Sequence, residues 1–167
     1  MILTTKTIVV TGAGSGLGRE LTLQLLRKGA KVAGVDINPI TLLQTGQLAQ
    51  VGEDRFKAFP LDITDSQKVG RFPVEVIRHF GVVDGLINNA GIIQPFKPVQ
   101  DLSMEEIQRV MNVNFFGTLS LTKAFLPYFL QRPEAHLINI SSMGGFLPVP
   151  GQTMYGVAKA AVKLFTE

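Results

Sequence analysis

Cysteine and tryptophan are both absent from the 167 residues. The missing thiols exclude disulfides, thiolate nucleophiles and cysteine-ligated zinc together, which fits a reducing compartment. Histidine is nearly absent as well, with His79 beside a predicted helix end and His136 opening an apolar run. Two isolated imidazoles argue against a histidine-based triad or a histidine-rich metal site, so no metal is expected. No run of eighteen apolar residues occurs, and the N-terminal MILTTKTIVVTG passes straight into a strand pattern without the basic and apolar regions of a secretion signal. The expectation is a soluble, unexported, cytoplasmic chain with no membrane partner. Sixteen Lys and Arg stand against thirteen Asp and Glu, a formal net charge of +3, and the basic residues are scattered. A nucleic-acid footprint needs a basic stripe, so no nucleic-acid partner is expected.

What is present is an alternation of short, β-rich apolar runs with longer helical patterns. KTIVVTG at 6–12 reads as a strand, about 17–28 as a helix and KVAGVD at 31–36 as a second strand, together a βαβ unit. Asn38-Pro39 is an N-cap followed by a first-turn proline, and a third strand is expected near 56–61. Thr64-Asp65-Ser66-Gln67 has capping-box spacing for a helix that Gly70 and Pro73 interrupt and Gly81 stops. VVDGLINNAG supplies the fourth strand and its turn. Ser103 and Glu106 form a second capping box, with Leu102 and Ile107 placed for a hydrophobic staple, and that helix is expected to reach about Leu130. HLINISS at 136–142 is the fifth strand, and a last helix begins near Thr153. Strands written as continuous Val, Ile and Leu runs are buried on both faces. The pattern predicts one α/β domain over residues 1–167, a doubly wound, Rossmann-type parallel sheet with helices on both faces, without repeats or linkers.

TGAGSGLG, from Thr11 to Gly18, lies directly after the first strand and at the mouth of the first helix. It misses the G-x-G-x-x-G spacing and fits TGxxxGxG, but the physical purpose is shared. Residues without Cβ let the backbone approach a pyrophosphate, and a helix N-terminus offers unpaired N–H groups. Gly12, Ser15, Gly16, Leu17 and Gly18 are therefore candidate cofactor-binding residues; the alternative is a glycine-rich turn that only joins strand to helix. Asp36 closes the second strand where a carboxylate accepts hydrogen bonds from the adenosine ribose and repels a 2′-phosphate. That favours NAD and leaves NADP as the lesser possibility, against the alternative of an ordinary strand-end turn residue.

Near the C-terminal end, SSMGGFLPVPGQTMYGVAKAA spaces Tyr155 and Lys159 four apart, on one face of a helix. A free tyrosine, pKa about 10, is about a thousandth ionised at neutral pH, and a nearby ammonium favours the phenolate. The pair is thus a candidate general acid/base, and Ser142 at the end of the fifth strand is placed to hydrogen-bond the same substrate oxygen. The alternative is a surface pair on an amphipathic helix. Asn114 falls on the apolar stripe of its helix with Val110, Leu121 and Phe125, so it is expected to be buried and to need a polar partner.

TGAGSGLG, LDITD, NNAG, NVNFFG, ISS and YGVAK occur in the order and spacing of the short-chain dehydrogenase/reductase family, and the chain resembles the shorter form of that family over essentially its whole length. The resemblance implies a fold and a chemistry. Tyr155 would be the general acid/base, Lys159 would assist it and hold the nicotinamide ribose, and Ser142 would orient the substrate oxygen. Asn114 would complete a tetrad by holding a water behind Lys159, with a structural asparagine bonded to nearby backbone as its alternative. Asp62, with the Ile63 backbone beside it, would meet the adenine amino group, while Asn89, Ala90 and Gly91 would line the cofactor cleft. The implied reaction is reversible hydride transfer between a nicotinamide and a secondary alcohol or ketone. Family members usually pair through their long helices, so a homodimer or homotetramer is the default partner state.

Members of the family also continue further, with sixth and seventh strands and a segment that covers the substrate. The resemblance therefore carries the expectation that strands six and seven are missing from a shortened form of a longer enzyme, leaving strand five as a sheet edge. Ile92, Ile93, Phe96, Met143, Phe146, Leu147, Val149 and Met154 flank the presumed pocket and suggest an apolar alcohol or ketone, their alternative being packing of two loops against each other. A non-catalytic NAD-binding fragment or sensor would keep the glycine loop and Asp36 but has no need of Asn114, Ser142, Tyr155 and Lys159 together. A hydrolase using Ser142 and Lys159 would leave the dinucleotide loop unexplained, and no G-x-S-x-G turn is present.

Overall fold

The computed structural model describes residues 2–167. Five parallel strands, β1 (Thr7–Thr11), β2 (Lys31–Asp36), β3 (Phe56–Pro60), β4 (Gly85–Asn88) and β5 (His136–Asn139), form one sheet in the order β3-β2-β1-β4-β5. The chain winds outward from β1 to β3, then crosses back to place β4 on the other side of β1. Strand order thus reverses between β1 and β4, so the loops that follow these two strands part to leave a crevice at their C-terminal ends.

The strand sequences explain both faces. Val9, Ala33 and Leu86 point to one side, where they pack with Phe72, Val76, Leu121 and Phe125 from α3 (Ser66–Phe80) and α5 (Thr118–Phe129). Ile8, Val10, Val32 and Ile87 point to the other, against Leu26 of α1 (Gly16–Arg27) and Leu42 of α2 (Pro39–Ala49). Alternation within uninterrupted apolar runs is what burial on both faces requires. The burial is complete for β1 and β4, whereas β5 alternates between exposed and half-buried positions. β5 is a sheet edge with Ile138 44 % exposed, as the sequence led us to expect.

Several local signals act as anticipated. Asn38 caps α2 by accepting from Ile40 N and Thr41 N, with Pro39 in the first turn, and Ser103 and Glu106 close a reciprocal capping box at α4 (Met104–Met111). Gly81 ends α3 in the left-handed conformation. Three expectations need correction. The cap of α3 is Asp65, whose side chain accepts from Lys68 N, and not Thr64, because Asp62 takes both the Thr64 N–H and its hydroxyl. Pro73 does not interrupt α3: the ring lies on its buried face with Val69, Phe72, Val76 and Phe80, and that packing offsets the lost backbone bond. The helix from Ser103 is not a continuous α-helix, since Asn112–Gly117 forms a π-helical turn between α4 and α5. The final helix, α6 (Thr153–Thr166), packs beside α4 and this π-turn.

Candidate active site

A cleft of about 870 Å³ occupies the crevice, lined by the loops after β1, β2, β3 and β4 and by one face of α4. Gly12, Ser15, Gly16, Leu17, Asp36, Asp62, Ile63, Asn89, Ala90 and Gly91 all contribute to its wall. Gly18 does not. It is buried on α1, where a Cβ would lie 2.1 Å from Gly12 O, so its place is beneath the glycine loop, permitting helix and loop to meet. Gly12 itself has φ +69° and approaches Asn89 and Ala90. Asn89 reinforces that contact, since its Nδ2 donates to Thr11 O at 2.9 Å while the Thr11 hydroxyl accepts from Asn89 N and Ala90 N.

The N-terminus of α1 opens onto this cleft without a side-chain cap and without an acidic residue in its first turn. Unpaired N–H groups and the positive end of the helix dipole are therefore left for an anion supplied from outside the chain. At the end of β2, Asp36 is held in a fixed pose, Oδ2 accepting from Gly14 N at 2.9 Å and Oδ1 from Asn38 N at 3.0 Å. Asp62 is half-buried, with Oδ1 engaged by Thr64.

The second cluster sits beyond Gly91. Close approach of Met143–Gly145 to α6 sets its geometry: a Cβ at Gly145 would lie 2.9 Å from the Lys159 carbonyl carbon, and the Ser141 hydroxyl donates to Lys159 O at 2.8 Å. Gly144 consequently fits between Ser142 and Tyr155, its Cβ direction 3.7 Å from the Ser142 oxygen and 3.5 Å from the Tyr155 ring. Ser142 Oγ accepts from Gly144 N at 3.2 Å. Lys159 is only 5 % exposed, and burial pushes its ammonium pKa below the ordinary lysine value. Its Nζ donates to Ile140 O at 2.7 Å and stands 6.0 Å from the centre of the Tyr155 ring. Gly91 separates Lys159 from Asn114, a Cβ there lying 3.5 Å from Nζ and 2.9 Å from Asn114 Oδ1. Asn114 is fully buried in the π-turn and exchanges two 2.8 Å hydrogen bonds with the backbone of Ile92. The fold thus clusters Asn114, Ser142, Tyr155 and Lys159 around Gly91 and Gly144, although none of the four lines the cleft itself. The apolar residues around this cluster are mostly exposed: Ile93, Phe96, Met143, Phe146, Leu147 and Val149 all show large accessible surface.

Sequence reasoning missed two groups. Glu105, Gln108, Arg109 and Asn112 form one cleft wall, and their i, i+3, i+4, i+7 spacing is a helical face that could have been read directly. Gln94, 2 % exposed, joins the segment after β4 to the start of α6 and carried no recognisable signal.

A family profile described as short chain dehydrogenase matches residues 6–167. The chain belongs to the short-chain dehydrogenase family. A relative described as putative oxidoreductase SadH of Mycobacterium tuberculosis is 41 % identical over 162 residues, which cover 97 % of this chain and 58 % of that protein. The chain therefore spans a little over half the length of this family member. Among solved structures, NAD+-bound xylitol dehydrogenase superposes with a TM-score of 0.94 at 29 % identity, covering 99 % of this chain and 64 % of the other. A short-chain dehydrogenase/reductase from Burkholderia phymatum in complex with NAD gives 0.94 at 28 % identity, covering 99 % and 59 %. Like those of its family, the sheet is parallel and flanked by helices on both faces. No helix among the described residues is long and apolar enough to cross a membrane, and no group of three metal-ligating side chains occurs among them.

Proposed function

We propose that this chain is an NAD-dependent oxidoreductase, or the nucleotide-binding part of one, that interconverts a secondary alcohol and a ketone. The observation that carries the reading is one cleft running from the uncapped α1 N-terminus and Asp36 to Gly91 and Ile92, with the buried Lys159 packed directly behind Gly91. Its volume lies within the range of small-molecule and cofactor sites. On this reading an extended dinucleotide would set its pyrophosphate on the backbone donors of Gly12, Ser15, Gly16 and Leu17, its adenosine ribose hydroxyls on the acceptor Asp36, its adenine beside Asp62 and Ile63, and its nicotinamide ribose toward Lys159. The carboxylate of Asp36 favours NAD over NADP by repelling a 2′-phosphate. When bound, the nicotinamide supplies the hydride chemistry.

The chain's own residues supply alignment and the proton. Ser142 orients the substrate oxygen, and Tyr155, with Lys159 beside it on the same helix face, takes or returns its hydroxyl proton. Asn114 orders the backbone behind Lys159 and contributes a carboxamide to the same polar end. The exposed apolar side chains around Ser142 and Tyr155, including Met143, Phe146 and Leu147, support an apolar alcohol or ketone as substrate. Phe116, Leu126, Leu130, Val157 and Leu164 leave apolar surface on the π-turn, on and just after α5, and on α6, which supports pairing of two copies through these helices.

Fluorescence titration with NADH and NADPH, followed by turnover assays with apolar secondary alcohols, tests the reading. Saturable NADH binding with weaker NADPH binding, and turnover abolished by Tyr155→Phe at nearly unchanged NADH affinity, are the results expected. Turnover retained by Tyr155→Phe removes that residue from the acid/base role. NADH binding without turnover on any alcohol leaves a binding-only protein.

A further inference from the structure

Helix α6 carries both Tyr155 and Lys159, yet it does not cap itself: the residue before it, Gln152, makes no side-chain hydrogen bond to the first turn. The cap comes from about sixty residues away. Gln94 Oε1 accepts from Met154 N at 2.8 Å and from Tyr155 N at 2.9 Å, the second and third helical N–H groups. Nε2 of the same carboxamide donates to Gly151 O at 2.9 Å, and Gln94 O accepts from Gln152 Nε2 at 3.0 Å. Gln94 is 2 % exposed and Gln152 5 %, so these bonds are shielded from water. Every polar group of the Gln94 side chain is spent on α6 or on the turn that leads into it.

The other end of this tie is equally fixed. Two residues before Gln94, the Ile92 backbone is held on both sides by Asn114 in the π-turn. Residues 92–94 are therefore a short strap from the floor of the cleft to the N-terminus of the helix that bears the tyrosine. A glutamine side chain serves here because one carboxamide can accept two N–H bonds and donate to a carbonyl at once.

We infer that Gln94 is a positioning residue for Tyr155, fixing the first turn of α6 against the cleft through its paired bonds to Met154 N and Tyr155 N. The inference rests on the oxidoreductase reading for its consequence in catalysis, but the tie itself can be measured without turnover. Gln94 need not touch substrate. Its effect arises because a displacement of the tyrosine by about 1 Å is enough to cost on the order of a hundredfold in rate.

The test compares the 167-residue wild type with Gln94→Ala and Gln94→Glu. Glutamate keeps the acceptor for both N–H groups and loses the donor to Gly151. Amide exchange at Met154 and Tyr155, read by NMR on the chain without cofactor, should accelerate at least about tenfold in the alanine variant and stay near wild type in the glutamate variant, with α5 unchanged in both. With an alcohol substrate, kcat should fall at least about tenfold in Gln94→Ala while NADH affinity stays within about twofold, and Gln94→Glu should recover most of kcat. Unchanged exchange at both amides in Gln94→Ala, or wild-type kcat with accelerated exchange, overturns the inference. Should the alanine variant fail to fold, Gln94→Glu decides alone, and rapid exchange at Met154 and Tyr155 in a folded glutamate variant overturns it. A wild type that binds NADH without turnover is the nucleotide-binding part alone, and the exchange data then judge the tie by themselves.

Discussion

Asn114 spends both ends of its carboxamide on one residue, Ile92, accepting from its N–H and donating to its carbonyl at 2.8 Å each. Removing the side chain would leave the N–H and carbonyl of half-buried Ile92 without their partner, at up to about 1–3 kcal/mol for each group that water cannot reach. Asn114→Ala is expected to lose about 2–4 kcal/mol in urea unfolding, with NADH affinity falling because Gly91 and Ile92 line the cleft. A loss of turnover without loss of stability would instead assign Asn114 a part in catalysis.

Gly12 and Gly16 both have positive φ, +69° and +50°, but differ in their surroundings. A Cβ at Gly12 would lie 2.8 Å from Asn89 Nδ2 and 3.1 Å from Ala90 Cα, whereas one at Gly16 would meet nothing within 4 Å. Gly16→Ala should therefore cost only the left-handed backbone penalty, about 1–2 kcal/mol. Gly12→Ala carries that penalty and a clash with backbone, so it should unfold at clearly lower urea and bind NADH at least about tenfold more weakly. Equal stabilities for the two variants would show that the loop yields at Asn89 and Ala90.

Asp36 does two things with one carboxylate: Oδ2 anchors the glycine loop at Gly14 N, and Oδ1 anchors the start of α2 through Asn38 N. Asp36→Ser removes the negative charge that, on the proposed reading, would repel a 2′-phosphate. The ratio of NADPH to NADH dissociation constants should fall at least about tenfold, with NADH itself binding more weakly because the loop loses an anchor. An unchanged ratio in fluorescence titrations would show that another group sets the preference.

How much of this could be read from sequence depended on whether a feature was local. β1 and β2 were legible because TIVVT and KVAGVD are short apolar runs next to a glycine loop and an acid, and the caps at Asn38 and Ser103 because their signals span four residues. The π-turn at Asn112–Gly117 was not, since a slipped hydrogen-bond register leaves the apolar spacing almost unaltered. The fifth strand ends at Asn139 rather than Ser142 because Ile140 O is taken by Lys159 and Ser141 turns to α6. Those partners, like Gln94 for Tyr155, are about twenty to sixty residues away, and one sequence offers no sign of such pairings. Thr64 and Asp65 illustrate a local failure: both are competent caps, and only the competing claim of Asp62 on Thr64 decides between them.

Lys159 gives the chain a titration that folding disfavours. Burial lowers its folded-state pKa, while in the unfolded chain it returns to about 10.4. Below the folded value both states carry the proton and its contribution to stability is constant. Between the two values the unfolded chain binds more protons, so stability from this site rises with pH across that window and levels off above it. Lys159→Met removes the group from both states. The difference in unfolding free energy, wild type minus Lys159→Met, should therefore increase as pH is raised toward about 10.4. Urea unfolding of both proteins at stepped pH measures it, and a difference that is flat or declines with pH would mean that the ammonium is not held against its hydration in the folded protein.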